Sequence, residues 1–151
     1  MNAAYLLDVN VLMAISWPDN ANHSAAQRWF RDHMKAGWAT CPMTQAAFIR
    51  LSSNRSVTEN ALHPSAAITL LERNSQNDYH EFWSDNLTFT DAVAPFRDRI
   101  IGHQQITEAY LLGLAIRKKA RLVTFDKAIA ALLPPGTHKS DWIVELSSRV
   151  H

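Results

Sequence analysis

The sequence has a single cysteine in 151 residues. Cys41 therefore has no partner in the chain for a disulfide and no second thiolate for a zinc site, which suits a reducing compartment. Glycine is scarce as well, at four residues, and neither a Gly-rich phosphate loop nor a G-x-S-x-G nucleophile elbow occurs. Neither sign of charge dominates: 15 Lys and Arg stand against 14 Asp and Glu, for a net charge of +1. The global basic signature of many nucleic-acid binders is thus missing, and a charged partner has to be met by a local patch. Long hydrophobic runs are absent too. The apolar start of the chain is broken by Asp8 and Asn10, well short of the roughly 20 residues that span a bilayer, and it carries no basic leader-like segment. The expectation is a cytoplasmic protein without a membrane anchor.

What is present points to one domain over residues 1–151. A chain of this length with 47% apolar residues supports one sizeable core and divides poorly into two. Short apolar segments alternate with helical ones without internal repeat, the pattern of an α/β fold. Strands are expected at residues 5–7, 38–41, around 81–83, at 121–125 (RLVTF) and at 142–146. A helix is expected at 22–36, with Ala25, Trp29 and His33 on one face and Gly37 as its stop. Further helices are expected at 43–52 and at 63–74, where Pro64 suits the first helical position and Ala67, Leu70 and Leu71 form the core face. Residues 107–119 read as a helix whose Ile106, Tyr110, Gly113 and Ile116 recur every three to four residues, with Arg117, Lys118 and Lys119 complementing the dipole at its end. Asp126 opens a short helix that Pro134 ends.

The stretch LLDVNVLMAI, residues 6–15, places an acid directly after the first expected strand, and Asp126 directly follows RLVTF. In an open parallel sheet ligands gather at the carboxyl ends of the strands, so two strands deliver a carboxylate to one edge. Glu108, in the first turn of the helix before RLVTF, is positioned to join them. Each acid taken singly also reads as a helix cap or a dipole partner; their shared edge is what points to chemistry. Three carboxylates together repel unless a cation neutralises them, and an all-oxygen set suits Mg²⁺ or Mn²⁺.

Four blocks carry a family resemblance: LLDVNVLMA, WATCPMTQAAFIRLSSN, HEFWSDNLTF and GHQQITEAYLLGLAIRKKARLVTFDKAIA. In this order, over most of the chain, they resemble the PIN-domain ribonucleases of the VapC type, the toxin halves of bacterial toxin–antitoxin pairs. The resemblance implies a central parallel sheet flanked by helices, a pocket binding Mg²⁺ or Mn²⁺, RNA as substrate, a cognate antitoxin as partner and a homodimer. It assigns Asp8, Glu108 and Asp126 as catalytic metal ligands, and Asn10 and Thr124 as polar residues of the pocket. Two positions depart from the pattern. Gln45 stands where many PIN domains have Glu, removing one negative charge, and Glu108 stands where Asp is usual, adding one methylene. These departures frame the alternative reading, a PIN-fold module that contacts antitoxin or RNA without cleavage. A haloacid-dehalogenase-like phosphatase would want a second Asp where Asn10 stands, and a receiver domain an adjacent acidic pair that LLDVN lacks.

For RNA, positive charge and aromatic faces are needed. Arg50, Lys118, Lys119 and Lys127 are the main candidates, with Arg55, Arg117 and Arg121 nearby in sequence. Trp17, in the loop after the first helix, is a candidate base-stacking face as well as a core cover. His23 and His103 rank below the acids.

Overall fold

The computed structural model describes residues 2–148. Five short strands, β1 (Tyr5–Leu7), β2 (Trp38–Thr40), β3 (His80–Phe82), β4 (Arg121–Thr124) and β5 (Ile143–Glu145), form one sheet in the order β3-β2-β1-β4-β5. Every pairing is parallel. Helices α1 (Val9–Ser16), α2 (His23–His33), α3 (Pro42–Ser52), α4 (Pro64–Ser75), α5 (Phe89–Val93) and α6 (Ile106–Arg117) supply the crossovers and cover. The alternation of side chains along a strand divides the core in two. Leu6, Ala39 and Leu122 face one side, with Trp83, Phe96, Leu111 and Leu114. Tyr5, Leu7, Trp38 and Val123 face the other, with Val11, Trp29 and Phe48. A parallel sheet covered on both faces needs strands that are apolar throughout, which is why β1 and RLVT read so clearly.

Local signals place most helix starts. Asp8 caps α1 through Val9 N, Pro42 and Pro64 occupy the first turns of α3 and α4, and Thr88 caps α5. Gly37 adopts φ 91°, and a Cβ there would sit 2.8 Å from Ala3 Cα, so the turn into β2 requires glycine.

The structure shifts several details. Residues 34–36 form a 3₁₀ turn after α2, and the buried alanine of α2 is Ala26 rather than Ala25. The third strand starts one residue earlier than expected, at His80, and the segment after Asp126 is a 3₁₀ helix, Lys127–Leu132. The largest difference concerns α6. Instead of one apolar stripe, every residue from Ala109 to Ala115 is buried, while Ile106 is 40% exposed. Its packing against α5 as well as against the sheet explains this: a helix between two layers is apolar all round. Among the described residues no helix is long and apolar enough to cross a membrane.

Candidate active site

The register of β1 with β4 builds the site. Leu7 pairs with Val123, and Asp8 N donates to Val123 O at 2.9 Å, so Asp8 and Thr124 leave the sheet side by side. Thr124, fully buried, becomes a hub. Its hydroxyl donates to Asp8 Oδ2 at 2.8 Å and accepts from Asp126 N at 3.0 Å and from Asn10 Nδ2 at 3.3 Å. One hydroxyl is thereby used as one donor and two acceptors, its full capacity. Asn10 also accepts Phe125 N at 3.2 Å through Oδ1, tying the end of β4 to α1. The other Asp8 oxygen accepts Val9 N at 2.7 Å, and Asp126 Oδ1 accepts Ala128 N at 2.9 Å. Both aspartates therefore do act as caps, while sharing the edge.

Glu108 enters from the first turn of α6. With Asp126, Gln104 and Gln105 it lines a depression of about 20 Å³, a volume suited to one water or small ion. Its Oε2 is buried and has no hydrogen-bond partner. Burial raises the Glu108 pKa, and the charges of Asp8 and Asp126 push it further. Burial likewise raises the Asp8 pKa; the Thr124 and Val9 hydrogen bonds oppose this and the Asp126 charge adds to it. The acids thus lie within Coulombic reach of one another, yet among the described residues no three His, Cys, Asp or Glu are gathered into a finished ion-binding cluster.

These shifts have a sign in stability. A carboxylate whose folded pKa lies above its unfolded value makes the native state bind more protons between the two, so stability falls as pH rises through that window and stays lowered above it. Asp8→Asn removes the penalty. In EDTA the Tm of the variant relative to the native protein should rise as pH climbs from the ordinary carboxylate value near 3.8 towards 7, on top of a constant loss for the one hydrogen bond an amide cannot keep. A Tm difference that does not change with pH would show that Asp8 carries no such penalty.

The remaining candidates scatter. Gln45 Nε2 donates to Thr40 Oγ1 at 3.0 Å, and Thr40 Oγ1 lies 2.7 Å from His80 Nε2; no pattern in the sequence links Gln45 to His80. Lys127 is exposed beside Asp126, and Arg50 is exposed on the last turn of α3. Lys118 caps α6 at the end away from Glu108, and Lys119 follows it with φ 58°. α6 runs back along the sheet, about 15 Å of helical rise separates Glu108 from Lys118, and Lys118 Nζ lies 5.8 Å from the centroid of the Trp83 ring. His23 Nδ1 is paired with Ala14 O at 2.7 Å, and His103 is exposed in a 3₁₀ turn. Gln104 and Gln105 were not singled out from the sequence. Their signal is position, immediately before the helix that carries Glu108.

No family model matches the chain. Curated relatives do. Ribonuclease VapC39 of Mycobacterium tuberculosis is 45% identical over 125 residues, covering 83% of this chain and 90% of that protein. Ribonuclease VapC44 of the same organism is 40% identical over 134 residues, covering 89% and 94%. Ribonuclease VapC38 is 39% identical over 127 residues, covering 84% and 88%. Among solved structures, PAE2754 from Pyrobaculum aerophilum superposes with a TM-score of 0.57 over 93% of this chain and 83% of that one, at 14% identity. That likeness concerns the fold.

Proposed function

The chain belongs to the VapC ribonuclease family, and from that premise we propose that it is the toxin endoribonuclease of a toxin–antitoxin pair, hydrolysing RNA phosphodiester bonds at the acidic edge of the sheet with Mg²⁺ or Mn²⁺. The observation that carries this reading is the buried, unpartnered Glu108 Oε2 beside Asp126 and within the field of Asp8. An oxygen-only set in which burial raises the pKa values of Asp8 and Glu108 fits a hard divalent ion. Asp8, Glu108 and Asp126 would hold it, and when bound it supplies positive charge to the phosphoryl oxygens and a more acidic water.

The protein's own groups do the rest. Thr124 fixes the rotamer of Asp8 and Asn10 fixes Thr124, so the central acid is held before substrate arrives. One carboxylate orients the water whose oxygen attacks phosphorus as the ester P–O bond breaks. Lys127, exposed next to Asp126, offers a cation to a phosphate. RNA as substrate places the activity in the cytoplasm. A cognate antitoxin is the partner that restrains it, and a homodimer is the assembly.

Incubation of the purified protein with total RNA in Mg²⁺, Mn²⁺ or EDTA tests the proposal. Cleavage in metal and none in EDTA is expected. No cleavage under any metal would replace the nuclease with the non-catalytic module.

Gln45 supplies a further prediction. Because its NH₂ is given to Thr40, its carbonyl oxygen is the end free to face a cation, without charge. Gln45→Glu should tighten Mn²⁺ binding on the order of tenfold, since hard-ion affinity grows with ligand charge, and the gain should vanish in Gln45→Glu/Asp8→Asn. Calorimetric titration reads both, and equal affinity in the native and Gln45→Glu proteins would place Gln45 outside the pocket.

A further inference from the structure

A second feature begins where the acids end. Asn10, Met13 and Trp17 fall on one stripe of α1 and its C-cap, the i, i+3, i+7 spacing that aligns side chains along a helix. They form one wall of a cavity of about 400 Å³, closed opposite by Leu51 and the loop through Thr58 and Glu59, with Asp19 on the rim. The cavity opens on the active-site network through Asn10, which bonds Thr124 on one side and lines the cavity on the other. Its volume lies within the roughly 300–1,000 Å³ range of small-molecule sites.

The walls are held in place. Trp17 Nε1 donates to Ser52 Oγ at 3.2 Å, and Ser52 Oγ in turn reaches Met13 Sδ at 3.5 Å, so the indole is pinned to the end of α3. Thr58, itself buried, donates to Leu51 O at 3.3 Å and fixes the opposite loop. Half-exposed Val57 leaves the mouth apolar and open.

The chemistry of the lining selects its ligand. No lysine, arginine or histidine lines the cavity; two exposed carboxylates, Asp19 and Glu59, do, beside the amides of Asn10, Asn20 and Asn22. A phosphate is therefore unwelcome, and a flat ring with hydrogen-bond donors on its edge is favoured. Among the RNA bases, uracil presents one N–H between two carbonyls, and cytosine and adenine each place a ring acceptor beside their amine. Guanine alone puts two adjacent donors, N1–H and N2–H, on its Watson–Crick edge, and these meet one carboxylate in two parallel bonds.

Resting on the ribonuclease reading, we propose that this cavity is a base-recognition subsite that takes a guanine flanking the scissile phosphate, stacked on Trp17 and held at its Watson–Crick edge by Asp19 or Glu59. RNA would then run along α1, its phosphate at Asp8 and the neighbouring base beyond Asn10.

The test uses the intact protein in EDTA, so that binding is read apart from cleavage. Guanosine, inosine, adenosine and cytidine are titrated by saturation-transfer NMR. Guanosine should bind about tenfold or more tightly than inosine, which lacks only the N2 amine. Asp19→Asn/Glu59→Gln should erase that preference, and Trp17→Ala should weaken all four nucleosides by about tenfold. Should the alanine variant unfold, the double variant decides alone. Equal binding of guanosine and inosine by the native protein overturns the inference. Mapping of cleavage ends in Mn²⁺ separates it from the reading beneath it. Cleavage with no enrichment of guanine beside the cut sinks the subsite and leaves the nuclease standing, whereas guanosine binding without any cleavage sinks the nuclease and leaves the cavity as a nucleoside site.

Discussion

Replacement of Asp8 by Asn should lower metal-dependent RNA cleavage by a hundredfold to a thousandfold, the range seen when one well-placed electrostatic group is lost from an active site. The side chain is 4% exposed and held from both oxygens, by Thr124 and by Val9. Asparagine has the same shape, but its single carbonyl oxygen can accept from Val9 N or from the Thr124 hydroxyl and not from both, so one buried hydrogen bond goes with the negative charge. The lost bond costs the same at every pH, whereas the buried charge of the native protein costs more as pH rises, so in EDTA the Tm of the variant relative to native should climb from acid to neutral pH. A fall in activity together with that pH trend cannot be mistaken for unfolding. Cleavage by Asp8→Asn within tenfold of the native rate would remove Asp8 from the mechanism.

The largest effect on stability should come from adding one methyl group to Gly113. A Cβ at this position would lie 2.0 Å from the Ala92 carbonyl oxygen, 2.6 Å from its carbon and 3.0 Å from its Cα. All three are backbone atoms of α5, so no side chain can swing away, and α6 is buried on every side from Ala109 to Ala115. Either helix must move as a unit and open the core formed by Phe96, Leu111 and Trp83. Gly113→Ala should cost more than about 4 kcal/mol, in the exceptional class of core clashes, and lower Tm by about 10 °C or more for a domain of this size. Gly102→Ala is the control, since nothing lies within 4 Å of its added Cβ, and it should leave the transition unchanged. A Gly113→Ala protein melting within a few degrees of native would show that α5 and α6 separate easily. Glu108 would feel the change as well, because α6 carries it to the acids.

Strands, caps and acids were legible in the chain because each is a local rule. A run such as RLVT followed by a polar residue is what a strand buried on both faces requires, and β1 and β4 lie where those runs are. Pro64 and Gly37 stand at the positions their φ angles allow. Asp8 and Asp126 follow strands, and in a parallel sheet every strand ends at the same edge, so their common side was implied before any coordinates. The resemblance in LLDVNVLMA and RLVTFDKAIA pointed to the same residues.

Other features depended on contacts between distant segments. The stripe expected on α6 dissolved because α5 covers its outer face, and no periodicity in residues 106–117 announces a neighbour from residues 89–93. Lys118, close to Asp126 along the chain, is set at the far end of α6 from Glu108, over the Trp83 ring. The Thr124 hydroxyl reaches Asp8 across 116 positions of sequence, and Gln45 meets His80 only through Thr40. The cavity beyond Asn10 joins α1, the loop after it and the segment after α3, three stretches that share no motif. By itself, the sequence determined which residues sit at strand ends and helix starts, since backbone geometry and side-chain period act over a few residues. Tertiary structure alone decided which of those residues touch, because the parallel register and the packing of helices between layers set distances that no local pattern records.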